Sequence, residues 1–122
     1  MKVAISASSK SLESPMDPRF GRAPYFIIVD TDTLEWGAIE NPAAEAMGGA
    51  GIQSAQIIIN NNVKAVITGN CGPNAFQVLN QAGIKVFNAY TRTVKEAIED
   101  YKAGKLSEFS SPSVSGHYGM KK

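Results

Sequence analysis

Two strand–turn–helix units in the second half of the chain restrict its fold more than any other feature. Val63-Lys64-Ala65-Val66-Ile67-Thr68 is a branched, apolar run that reads as a strand. Gly69-Asn70-Cys71-Gly72 turns tightly after it, and Pro73 suits a first helical position, where its missing N–H costs nothing. Ala75, Phe76, Leu79 and Ala82 keep helical spacing up to Gly83, and Ile84-Lys85-Val86-Phe87 is the next strand. Thr93 followed by Glu96 is a capping box, and Val94, Ala97, Ile98 and Tyr101 form the apolar stripe of a last helix ending at Gly104. Such units join by right-handed crossovers, so their strands lie parallel in one sheet.

Upstream, Val3-Ala4-Ile5 is a short buried strand whose run stops at Ser6, Ser8 and Ser9. Residues 8–24 form a long polar connection with Pro15, Pro18, Pro24 and Gly21. A structureless connection of that length is uncommon in a small domain and is usually functional or disordered. Tyr25 to Val29 is β-forming by its aromatic and branched residues, Asp30 to Thr33 turns, and Leu34 to Ile39 alternates, so the pair reads as a hairpin. Asn41-Pro42 ends that strand. Gly48-Gly49-Ala50-Gly51 opens a helix with Ile52, Ala55, Ile58 and Ile59 on one face, and the asparagines at 60–62 supply a left-handed stop. The order β-β-β-α-β-α-β-α predicts an α/β fold with a mixed five-stranded sheet, order 3-2-1-4-5 with strand 2 antiparallel, and three helices. That is the ribonuclease-H-like arrangement. A chain of 122 residues is expected to form one domain, here residues 1–106, with the Ser-, Gly-, Pro- and Lys-rich residues 107–122 as a flexible tail.

Composition excludes several functions. Twelve Lys+Arg against eleven Asp+Glu give a net charge of +1, without the basic surplus by which nucleic-acid binders displace phosphate counterions. One cysteine cannot form an internal disulfide. No run approaches the ~18 apolar residues of a membrane span, and the start MKVAISASSK lacks a signal peptide's apolar core. A cytoplasmic protein without membrane or nucleic-acid partners is expected. Strands 1 and 4 carry no acid, although the two-metal chemistry of ribonuclease-H-type nucleases needs carboxylates there. With a single His and a single Cys, no nucleophile–base pair has support, so the reading is non-catalytic.

The predicted topology brings the loops after strands 1, 3, 4 and 5 to one end of the sheet. Strands 1 and 4 send their connections apart, which opens a crevice at their carboxyl ends. All three helices start there, and their unpaired N–H groups favour an anion. Gly49 and Gly51 read either as an anion cradle or as a mobile connector, since the segment lacks the Lys-Ser/Thr of a phosphate loop. Gly69, Asn70 and Gly72 let the backbone approach a ligand, or simply make the turn. Cys71, beside a helix N-terminus, is expected to have a lowered thiol pKa and to ligate a metal or cluster; the alternative is a small packing residue. Arg19 and Arg22 flank Phe20-Gly21 and read as an anion clamp or as solvated surface. His117 is a tail residue or, like Met16, Met47 and Met120, an auxiliary soft ligand.

Four segments together carry a family likeness: MKVAISAS at the start, Phe20-Gly21-Arg22-Ala23-Pro24-Tyr25-Phe26, Gly69-Asn70-Cys71-Gly72-Pro73-Asn74-Ala75-Phe76, and Ala82-Gly83-Ile84-Lys85-Val86. Over residues 1–106 the chain resembles the dinitrogenase iron–molybdenum cofactor biosynthesis family, which includes NifX, NafY and the C-terminal domain of NifB. The resemblance implies a ribonuclease-H-like fold. It also implies non-catalytic binding or carriage of an iron–sulfur or iron–molybdenum cluster precursor, or a related metal anion, with cluster donor or acceptor proteins as partners. Many members carry His just before Phe-Gly-Arg-Ala, where this chain has Arg19, which cannot ligate a metal. Three functions follow: a cluster carrier with Cys71 as ligand, a module for a metal-free small anion, and a thiol-based redox or persulfide-handling protein.

Overall fold

The computed structural model describes residues 1–90 and 92–112, and its sheet is built outward from a central strand, β1 (Lys2–Ala7). On one side β2 (Tyr25–Asp30) pairs antiparallel with β1, and β3 (Trp36–Glu40) antiparallel with β2. On the other, β4 (Ala65–Thr68) and β5 (Lys85–Asn88) run parallel to β1. The order β3-β2-β1-β4-β5 agrees with the sequence expectation. β1 does not stop at the serines: it continues through Ser6, whose buried hydroxyl finds partners.

The sheet has six strands, not five. β6 (Ser107–Glu108) pairs antiparallel with β5, with Glu108 opposite Phe87 and Ser107 opposite Asn88. The Phe109 N–H then donates to the Val86 carbonyl at 2.8 Å. Ordered structure therefore extends past residue 106, where the tail was expected to begin. Two exposed polar residues at a sheet edge bind through their backbone alone, so no hydrophobic pattern announces them.

Both faces of the sheet are covered. α1 (Ala50–Asn60) and α2 (Pro73–Gln81) bury Ala55, Ile58, Ala75 and Leu79 against Ala4, Phe26, Val66 and Val86. α3 (Val94–Lys102) lays Val94, Ala97 and Ile98 on the opposite face, against Val3, Ile5, Ile27, Val29, Ala65 and Ile67. Neighbouring strand residues go to opposite faces, as the pleat demands. α1 ends at Asn60, and the left-handed stop falls on Asn62 at φ 60°. Gly83, at φ 78°, ends α2 in the same way.

Residues 8–24 hold no helix or regular strand, yet they are tied down along their length. The Ser8 N–H donates to Pro15, and the Asp17 N–H to the Ser6 carbonyl. The Val94 and Lys95 N–H groups donate back to the carbonyls of Ser14 and Leu12. Ser6 Oγ bonds the Asp17 carbonyl and lies 2.9 Å from Thr68 Oγ1, all in the buried interior. The close approach needs glycine at position 69: a Cβ there would meet Pro18 Cβ at 2.8 Å and its Cα at 3.0 Å. Gly69→Ala should therefore force the loop off the sheet and lower stability by about 1–3 kcal/mol, the usual cost of overpacking, measured by urea denaturation.

Candidate functional site

The anchored loop decides where a ligand can enter. The crevice expected over β1 and β4 is closed, because Pro18 to Phe20 lie along Asn70 in a parallel bridge. The Phe20 N–H donates to the Asn70 carbonyl at 3.2 Å, and the Asn70 N–H to the Pro18 carbonyl at 2.7 Å. The Phe20 ring is buried, tilted on Phe26 with centroids 5.4 Å apart.

The open cleft lies outward of that plug, between the starts of α1 and α2, with a volume of about 310 Å³. Phe20, Gly21 and Arg22 form its loop side. Gly49, Ala50, Gly51 and Ile52 line it from α1, and Gly72, Pro73, Asn74 and Ala75 from α2. Its walls stand close because small residues meet: a Cβ on Gly21 would lie 3.0 Å from the Gly51 Cα, and one on Gly51 3.2 Å from the Ala75 Cβ. Beneath, the buried Asn41 amide donates to the Ala23 carbonyl at 2.8 Å and to Ser54 Oγ at 3.0 Å, and Ser54 Oγ reaches the Gly21 carbonyl at 3.3 Å.

Neither helix start carries a side-chain cap. The first intrahelical bonds run from Gln53 N–H to Gly49 and from Phe76 N–H to Gly72. The amides of Ala50, Gly51 and Ile52 precede the first, and those of Asn74 and Ala75 the second, so they are the donors a helix start leaves open. Two macrodipoles add partial positive charge at the same place.

α3 does not join them, which corrects the expectation of three converging N-termini. Thr93 Oγ1 accepts from the Glu96 N–H at 3.2 Å, and Glu96 accepts in return from the Thr93 and Arg92 N–H groups. Those backbone bonds hold the Glu96 carboxyl below its ordinary range. The next two amides, of Val94 and Lys95, bind the long loop. The capping box that marks α3 in the sequence removes it from ligand binding.

Of the residues singled out in the sequence, Phe20, Gly21, Arg22, Gly49, Gly51 and Gly72 line the cleft, and Arg19, Gly69, Asn70 and Cys71 do not. Arg19 lies outside the cleft lining, and its Nε and Nη2 bind the buried Asp17 carboxylate at 3.1 and 3.0 Å. Arg22 Nη1 donates to the carbonyls of Ala44 and Ala46 at 3.0 and 2.6 Å, which steadies the 3-10 helix Pro42–Glu45 ahead of α1. Gly69 presents its carbonyl to the Asn88 amide at 3.0 Å and to the Tyr90 hydroxyl at 3.3 Å, a structural use. Met16 is core. His117 and Met120 lie outside the described residues.

Cys71 also departs from expectation. It is 1% exposed and packs with Phe20, Val66 and Ala75 in the core under α1 and α2. Burial pushes its thiol up to about 12, opposite to the lowering foreseen from the helix start. Desolvation is the cause, and it favours the neutral thiol at neutral pH. Among the described residues no three His, Cys, Asp or Glu side chains are grouped to hold a metal. Sequence reading missed Ala50, Ile52, Pro73, Asn74 and Ala75 as wall residues. The helix starts were the signal, since first-turn positions face whatever a helix points at.

With this geometry in view, comparison with known proteins decides the family. The dinitrogenase iron–molybdenum cofactor family matches residues 1–104. The chain belongs to that family. It is 38% identical over 112 residues to an uncharacterized protein of Methanocaldococcus jannaschii, spanning 89% of this chain and 92% of the relative. The apo form of the orange protein from Desulfovibrio gigas superposes with a TM-score of 0.89 at 34% identity, over 93% of this chain and 96% of that one. A Thermotoga protein provisionally assigned to NifB gives 0.83 at 38% identity, over 94% and 98%. Family membership supports a cofactor-binding or carrier role. No helix among the described residues is long and apolar enough to cross a membrane.

The Cys71 assignment has a pH signature. In the unfolded chain the thiol titrates near its ordinary value of 9.0, and in the fold only near 12. Above about pH 9 the unfolded state sheds a proton that the native state keeps, so stability falls as pH rises towards 12. Cys71→Ala should flatten that alkaline loss relative to the parent chain, read as the difference between their denaturation midpoints from pH 8 to 11.

Proposed function

We propose that this chain is a non-catalytic carrier that takes a small anionic metal–sulfur species as cargo in the cleft between α1 and α2. The cargo is an iron–sulfur or iron–molybdenum cluster precursor or a related metal anion, passed between donor and acceptor proteins. The observation that carries the reading is the convergence of two uncapped helix starts on one glycine-walled cleft. Backbone N–H groups and Arg22 can bind the anionic shell of such a species. A volume of about 310 Å³ sits at the small end of ligand pockets, typically ~300–1,000 Å³, which suits a precursor.

The residues do not fit a directly ligated cluster. Arg19 stands where many family members have His and is engaged by Asp17, while Cys71 is a buried thiol outside the cleft. Binding through the anion's outer surface fits both facts. It also favours, as a second reading, a metal-free small anion, because the same donors would serve phosphate. The redox reading loses its nucleophile with Cys71 protonated and enclosed.

The test is a cap placed on purpose. Gly72 stands at the N-cap of α2 with φ −70° and ψ 171°, and nothing lies within 4 Å of a Cβ built there. Gly72→Asp would accept the open amides of α2 with its own carboxylate, which holds or modestly raises stability. It should weaken binding of tetrathiomolybdate, a coloured sulfur-shelled anion, by about tenfold or more through competition and like-charge repulsion. Equal affinity in parent and variant would remove the cleft from the proposal. Inorganic phosphate displacing the probe at equal concentration would favour the metal-free reading.

A further inference from the structure

One side chain beside the cleft has no role in the fold. Several large apolar residues are partly exposed, but Met47 stands entirely in solvent, at 101%. It occupies the short span between two fixed points. Ala46 is held behind it, its N–H on the Ala43 carbonyl at 3.0 Å and its carbonyl on Arg22 Nη1 at 2.6 Å. Ala50 is fixed ahead, buried as the first residue of α1.

Between these anchors lie Gly48 and Gly49. Gly48 has nothing within 4 Å of a built Cβ, and Gly49 is at φ +73°, a region that glycine enters without strain. Gly48 therefore leaves the span ahead of Gly49 room to turn, while the Gly49 carbonyl stays on the Gln53 N–H and Arg22 keeps the Ala46 carbonyl. Gly49 itself lines the cleft, and two residues of chain span at most ~7 Å, which keeps Met47 within reach of the opening. The rim already presents Ile52, another exposed apolar side chain. A thioether is polarizable and flexible, and it brings no charge to compete with the amides for the anion.

We propose that Met47 folds over the filled cleft, its thioether and methyl covering the outward face of the bound anion and slowing its release. This rests on the reading of the cleft as an anion carrier. Met47 is then a positioning residue for the cargo: amides and Arg22 supply attraction, and Met47 supplies residence time. A polarizable thioether makes better dispersion contact with a weakly hydrated sulfide surface than with a strongly hydrated oxygen one.

The experiment uses the full chain with its methionine methyl groups labelled with carbon-13, Met47 being assigned by Met47→Leu. As tetrathiomolybdate is added, the Met47 methyl resonance should shift and broaden in step with the amides of Gly51 and Gly72. Met1, at the start of β1 and paired through its amine with Asp32, should not respond. Met47→Ser should release the probe about tenfold faster, as expected for losing partial burial of an apolar side chain. Cleft amides that shift while the Met47 methyl keeps its position and width would overturn the role of Met47 and leave the cleft reading standing. Silence from Gly51 and Gly72 as well would overturn both.

Discussion

A pair of buried hydroxyls holds the functional end of this protein together. Ser6 on β1 and Thr68 on β4 touch at 2.9 Å, and between them they engage the carbonyls of Asp17 and Pro18. The buried Asp17 carbonyl would otherwise lose its donor at a cost of ~1–3 kcal/mol, while the Pro18 carbonyl also accepts from the Asn70 N–H. Two strands that diverge in their connections are thus bridged by a segment that belongs to neither. From that anchor the loop reaches α3 at Ser14, the β4–α2 turn at Asn70 and α1 at Gly21. A loss of either hydroxyl would propagate to all three.

The anchor also explains where charge ends up. A chain of net charge +1 has no overall basic surplus with which to attract anions. Its positive end is made from backbone instead, by leaving α1 and α2 without side-chain caps and by narrowing the gap between them to glycine and alanine. The third helix start is capped and holds the loop. The three arginines in the loops around this end all have partners: Arg19 on Asp17, Arg92, weakly at 3.6 Å, on Glu96, and Arg22 through Nη1 on the carbonyls of Ala44 and Ala46. Asp17 is the deciding partner for Arg19, and its carboxylate also accepts the Arg19 backbone N–H at 2.9 Å.

What could be read in the chain follows from this division. Strand order was legible because parallel crossovers leave few alternatives and because Pro73, Thr93 and Gly83 mark helix ends by local chemistry. The cleft residues Gly49, Gly51 and Gly72 were legible for the same reason. Arg19 was not, since its partner Asp17 is two residues away in a loop whose path only tertiary contacts define. Cys71 failed because its position beside a helix start says nothing of depth, and Phe20 from the distant loop helps to bury it. β6 was hidden because edge pairing through backbone leaves no mark in side-chain type.

A carrier must release what it binds, and the construction of this cleft bears on that requirement. A metal held by a thiolate leaves only through ligand exchange, which needs a competing ligand and a change of protonation. Hydrogen bonds from amides to an anionic shell break one at a time and need neither. Each is worth ~1.5–3 kcal/mol when one partner is charged, before the cost of association is subtracted. Burying Cys71 and pairing Arg19 with Asp17 leave Arg22 and the backbone amides as the groups that line the cleft. On the proposed carrier reading, distributed attraction takes the place of a fixed ligand, and the loop pinned by Ser6 and Thr68 holds the geometry of the cleft.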